Sequence, residues 1–186
     1  MNWLVVGLGN PGPEYAKTRH NLGFMLVDVM AERIRALIKR EECRALLGRG
    51  TIDNQTVELV KPQTYMNLSG ESVKCLLAKE ARSVDRLIVV SDDLAIPFGT
   101  IRVRPQGTHG GQNGLRSIID QLGTQEFKRV RIGIQPEHPV SDASRFVLDS
   151  FAKGEADTVE KVLEAAADAV EAIIQDGVDA AMQRFN

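Results

Sequence analysis

Five short polar segments hold the residue types that could do chemistry. The first is Gly7-Leu8-Gly9-Asn10-Pro11-Gly12, directly after the apolar run Trp3 to Leu8. It matches GxGxxG, the dinucleotide fingerprint, but that motif must open straight into a helix whose N-terminus holds a pyrophosphate. Pro11, Gly12 and Pro13 interrupt the chain here, and Pro11 biases Asn10 toward an extended conformation. The acids some 20 residues on, Asp28 and Glu32, fall inside a helical pattern instead of ending a second strand. The remaining reading is a tight turn that pushes the Asn10 amide out at the end of a strand, or a turn that Asn10 merely caps. The second segment is Thr18-Arg19-His20-Asn21. An imidazole changes charge near neutral pH and suits a general base, provided a carboxylate orients it. The third, Ser91-Asp92-Asp93 after Leu87 to Val90, offers that carboxylate, and in extended chain only one of the two acids can face a given side. The fourth is Thr64 to Gly70, with Asn67 at a loop-to-helix junction where it could also be an N-cap. The fifth is Gly107 to Gly114, a glycine loop carrying Gln112 and Asn113, preceded by Arg102 and Arg104. Such a loop beside arginines and a helix start is a plausible cradle for phosphate or ribose. No GxSxG elbow, Walker A sequence, HExxH or paired-histidine spacing occurs. One histidine, a nearby aspartate and amides on three loops suit base-assisted attack of water on a carbonyl, with no metal.

Elements that would carry these segments follow from hydrophobic period. Trp3 to Leu8 and Arg86 to Ser91 read as buried strands, and Ile101 to Arg104 and Val130 to Ile134 as further strands. Residues 43–61 suggest two strands joined at Asp53-Asn54. Helical spacing runs over about 21–39, 67–80, 113–122 and 158–174. Strands interleaved with helices predict one α/β domain over 1–186: a twisted mixed sheet flanked by helices, with an amphipathic C-terminal helix.

The chain is 186 residues long, 43% hydrophobic and 26% charged, which argues against disorder. No apolar run reaches the roughly 18 residues of a membrane span. Its two cysteines, Cys43 and Cys75, stand 32 apart and outside any CxxC, so neither a disulfide framework nor a zinc ribbon is expected. With no export signal, a reducing cytoplasm is the expected compartment. Net charge is −2, but it is unevenly spread. Residues 149–180 hold nine acids against two lysines, whereas 97–136 hold six basic residues against two acids. An acidic C-terminal segment masks a basic body, which keeps a nucleic-acid partner open, although a merely solvated charged face is the alternative.

Taken in order, residues 7–24, 61–70, 89–99, 101–118, 130–134 and 181–186 resemble the bacterial peptidyl-tRNA hydrolase family. The resemblance spans essentially the whole chain. It implies a monomeric, cofactor-free esterase that cleaves the bond between a nascent peptide and the 3′ end of tRNA. On that resemblance His20 is the base and Asp92 orients it. Asn10, Tyr15, Tyr65, Asn67 and Asn113 hold substrate, and Arg104 and Arg131 clamp a tRNA phosphate. Two positions depart from the family's frequent pattern: Gln112 stands where a histidine is common, and Ala95 where an aspartate is common. The competing functional reading is an inactive RNA-binding protein of the same fold. A nucleotide-dependent oxidoreductase, suggested by GLGNPG, falls with the proline argument.

Overall fold

The computed structural model describes residues Met1–Asn186. A seven-stranded mixed sheet is formed by β1 (Trp3–Gly7), β2 (Arg40–Glu42), β3 (Ala45–Ile52), β4 (Gln55–Pro62), β5 (Leu87–Pro97), β6 (Ile101–Arg104) and β7 (Lys128–Gln135). The spatial order is β2-β3-β4-β1-β5-β7-β6. β4, β1, β5 and β7 run parallel, while β2 and β3 at one edge and β6 at the other are antiparallel to their neighbours. Six α-helices accompany it: α1 (Leu22–Ile34), α2 (Ser69–Leu77), α3 (Asn113–Leu122), α4 (Ala143–Val147), α5 (Ala156–Asp176) and α6 (Val178–Phe185).

The continuous apolar runs of β1 and β5 arise because each strand is covered on both faces. Trp3, Val5, Ile88 and Val90 belong to a cluster of 27 buried residues with α1, α5 and α6. Leu4, Val6, Leu87 and Val89 belong to a second cluster of 14 with α2 and α3. The β3–β4 turn falls at Asp53-Asn54 as expected, and both residues take positive φ (49° and 60°), the combination that suits a tight hairpin.

Several boundaries differ from the sequence reading. α1 stops at Ile34, not near Lys39, because Arg35 turns left-handed (φ 55°) and the Arg35 and Ala36 amides bond back to Ala31 and Glu32. Leu37, which continues the helical period, is 70% exposed instead. β5 extends through Asp92 and Asp93 to Pro97, so the two acids lie within the strand and not beyond its end. The segment 67–80 begins as a 3₁₀ turn (Met66–Leu68) before α2. β2, α4 and α6 are additional elements. Cys43 and Cys75 are joined by a disulfide, contrary to the expectation of none. The β2–β3 turn packs against α2, which brings their Cα atoms to 5.7 Å; sequence separation gave no hint of it.

Gly7 and Gly23 show why glycine follows β1. A Cβ on Gly7 would sit 2.0 Å from the Gly23 carbonyl oxygen, and one on Gly23 would sit 2.3 Å from the Leu8 nitrogen. The glycines let α1 press on the end of β1, and the chain reaches α1 only after 3₁₀ turns at Pro13–Tyr15 and Arg19–Asn21. Rejection of the dinucleotide fingerprint therefore rests on local geometry as well as on proline.

Candidate active site

Two parallel strands deliver site residues just past their carboxyl ends, where α/β sheets place their ligands, and a third carries one within its length. β1 leads to Asn10, β4 leads to Tyr65, Met66 and Asn67, and β5 carries Asp92. The N-terminus of α3 adds Gln112 and Asn113, and the turn before α1 adds His20.

His20 and Asp92 are both buried, 8% and 2% exposed. His20 Nδ1 lies 2.9 Å from Asp92 Oδ2 and 3.0 Å from Oδ1. A carboxylate only accepts, so Nδ1 is the donor, and in the neutral ring Nε2 is the nitrogen left without a proton. The neighbouring Asp93 bonds other groups and not His20. Arg131 Nε donates to its Oδ2 at 2.6 Å, and its Oδ1 accepts the Ala95 amide at 2.8 Å.

Asn10 is held by a partner that the sequence reading did not single out. Asn21 Oδ1 accepts the Asn10 amide at 2.9 Å, and Asn21 Nδ2 donates to the Asn10 carbonyl at 3.0 Å. The Asn10 side chain in turn accepts the Met66 amide through Oδ1 at 2.7 Å. Its Nδ2 is left as a donor, and the β1 and β4 loops are tied together.

Two connected depressions meet at His20. One is lined by Asp92, Asp93, Gly110, Gly111 and Gln112. The other is lined by Asn10, Tyr15, Tyr65, Met66 and Asn67. His20, Asn113, Ser144 and Val147 border both, so they form one groove. Tyr15 and Tyr65 meet edge-on at its end, with ring centroids 6.4 Å apart, and Tyr65 holds a positive φ of 65°. Asn67 and Asn113 are exposed, available to something that enters. α4 forms one wall, unforeseen because it is only five residues long and polar at its start. Arg19, next to His20, fastens that wall. Its guanidinium stacks on Phe146 at 4.0 Å and donates to the Phe146 and Asp149 carbonyls, each at 3.2 Å.

The arginines form a separate surface beside the glycine loop. In the β6–β7 register Arg102 opposes Arg131 and Arg104 opposes Arg129, so all four side chains share one face. Arg104 is thus diagonal to Arg131, not directly across from it, at about 7–8 Å between backbones, still within reach of long side chains. Arg102 and Arg104 have no acidic partner, whereas Arg131 is paired with Asp93 and not with the acidic C-terminal helix. Arg129 is 1% exposed and bonds only carbonyls: Thr108 at 3.0 Å and Gln125 at 2.9 Å, with a weaker contact to Phe127. Burial, and then the nearby charge of Arg131, pull its pKa down to about 10. It anchors the glycine loop from beneath. No three His, Cys, Asp or Glu side chains gather as a metal site, and no helix is long and apolar enough to cross a membrane.

Fold and site together define an α/β enzyme with a His–Asp pair in an open polar groove, flanked by a cationic face. A model of the peptidyl-tRNA hydrolase family matches residues 4–186. The peptidyl-tRNA hydrolase of Koribacter versatilis is 49% identical over 98% of this chain and 92% of its own length. That of Chloroflexus aggregans is 46% identical over 99% of this chain and 98% of its own. The crystal structure of peptidyl-tRNA hydrolase from Acinetobacter baumannii superposes with a TM-score of 0.91 at 35% identity, covering 98% of this chain and 93% of that one. The chain belongs to the peptidyl-tRNA hydrolase family.

Proposed function

We propose that this protein hydrolyses the ester between an N-blocked, peptidyl amino acid and the terminal ribose of tRNA, releasing peptide and free tRNA. The observation that carries the reading is the buried His20–Asp92 pair, with Nε2 left free at the junction of the groove. His20 Nε2 takes a proton from water as its oxygen attacks the ester carbonyl. Asp92 holds the ring and balances the imidazolium that forms. The tetrahedral intermediate's oxyanion is met by amide donors, with Asn10 Nδ2 and Asn113 the available ones. Collapse breaks the bond to the ribose oxygen, and the imidazolium returns its proton to that leaving group. Nothing in the site favours an inactive binding protein.

Substrate is held by Asn10, Asn67 and Asn113, whose amides read a peptide group in both senses, with Tyr15 and Tyr65 at the apolar end. Arg104 and Arg131 take a tRNA phosphate. For Arg131 this means sharing or exchanging Asp93, while Arg104 has no ion pair to break. The enzyme works as a monomer, in the cytoplasm, without a metal or organic cofactor. The decisive assay compares N-acetyl-aminoacyl-tRNA with the same tRNA carrying a free amino group. Preference for the blocked ester by roughly 10² or more is expected, because a site built to hydrogen-bond a group rejects the analogue lacking it. Equal cleavage of the two contradicts the reading.

A further inference from the structure

Gln112 is 9% exposed, and both ends of its amide are committed. Oε1 accepts the Leu115 amide at 2.8 Å, capping α3. Nε2 lies 3.1 Å from Asp92 Oδ1 and 3.3 Å from the Met66 sulfur. The orientation of this amide is not arbitrary. The Leu115 N–H can only donate, so the oxygen must face it, and the NH₂ must then face the carboxylate. Asp92 Oδ1 is thereby placed between two donors, His20 Nδ1 and Gln112 Nε2. The neighbouring Asp93 is engaged elsewhere, with Arg131.

We infer that Gln112 is a positioning residue for the reaction. It is a fixed, non-titrating donor that pins the Asp92 carboxylate and, through it, keeps His20 protonated on Nδ1 and basic on Nε2. The helix N-cap is what aims it, so the start of α3 and the general base form one rigid unit. This rests on the His20–Asp92 reading of the mechanism and adds to it a third member, one whose amide does not ionise at neutral pH. A neutral amide also leaves Asp92 its full charge for the developing imidazolium, whereas a cationic neighbour would share it.

The two jobs of Gln112, capping and donating, can be separated. Gln112→Glu keeps an oxygen for the Leu115 amide but sets an acceptor against Asp92. Gln112→His keeps an N–H for Asp92 while disturbing the cap. For partners that orient a catalytic group, loss of the contact is typically worth 10–100-fold. We expect kcat of Gln112→Glu to fall about that much with KM changed less than threefold. Gln112→His should retain at least tenfold more kcat than Gln112→Glu, even if it melts at the lower temperature. Activity that simply tracks melting temperature across the two variants, or a folded Gln112→Glu enzyme within twofold of wild type, overturns the inference. His20→Ala in the same assay separates the failures. If it too retains activity the mechanism is wrong, and if it is inactive only the role of Gln112 is wrong. Should Gln112→Glu not fold, the side-chain amide protons of Gln112 in the wild-type protein decide by NMR. Slow exchange that accelerates in Asp92→Asn is expected, and exchange as fast as that of exposed glutamines refutes the contact.

Discussion

Replacing Asn21 by alanine removes the two bonds that fix the backbone of Asn10, at 2.9 and 3.0 Å, in a place where Asn21 is 2% and Asn10 8% exposed. Water has little access, so the Asn10 amide and carbonyl are both orphaned. Each unsatisfied buried group costs about 1–3 kcal/mol, which puts the pair at about 2–6 kcal/mol. For a chain of this size each kcal/mol lowers Tm by roughly 2–4 °C, so a drop of about 4–24 °C is expected in thermal unfolding followed by circular dichroism. Asn21→Asp is the sharper probe. It keeps an oxygen for the Asn10 amide but sets another against the Asn10 carbonyl, and should be no better than alanine. Function should suffer as well, because Asn10 Oδ1 holds the Met66 amide and, with it, the turn that presents Asn67. A displacement of about 1 Å in such a site is worth up to roughly 10² in rate. The reasoning is refuted if Asn21→Asp melts within 2 °C of wild type and keeps its kcat/KM within twofold.

Away from the groove, Glu58 in β4 is 3% exposed and bonded by Arg82, Arg40 and Asn2. Burial alone would raise its pKa, but those hydrogen bonds and the Arg82 charge outweigh it and hold the carboxyl at about 2. A depressed carboxylate stabilises above its unfolded pKa, near 4.3, and that contribution fades as pH falls through the folded value. Glu58→Gln should therefore cost on the order of 2–3 kcal/mol at pH 7 and progressively less from about pH 4.5 toward 2, measured by urea unfolding at each pH. The double change Arg104→Ala, Arg131→Ala should raise KM for full-length peptidyl-tRNA, leave kcat largely intact and flatten the salt dependence. A short CCA-ended ester without a 5′-phosphate should not respond, and equal KM ratios for the long and short substrates eliminate the clamp.

The parts most readable from the residues were those governed by local rules. The runs in β1 and β5 announced strands because both faces are buried, and Asp53-Asn54 announced its turn. His20 and Asp92 stood out as base and carboxylate by chemical type, and the fold brings them to 2.9 Å. Most of what escaped depends on contacts remote in sequence, although the end of α1 is local. α1 ends where Arg35 adopts a left-handed conformation, against an apolar period that runs on to Leu37. The two acids of β5 lie inside the strand because β7 continues to pair with it through Asp93. Asn21 looked like an ordinary polar residue before a helix, and only its reach to Asn10, 11 residues away, reveals its work. The partner of Gln112 is 20 residues distant, and the Cys43–Cys75 bond depends on how α2 packs beside the β2–β3 turn.

The central claim, that His20 is the base of a peptidyl-tRNA esterase, is tested most directly by single-turnover hydrolysis of N-acetyl-aminoacyl-tRNA with wild-type protein and with His20→Ala at saturating enzyme. Loss of a general base typically costs roughly 10²–10⁴-fold, so the variant should bind the substrate with near-normal Kd and cleave it slower by that factor. Cleavage by His20→Ala within threefold of wild type would contradict the account.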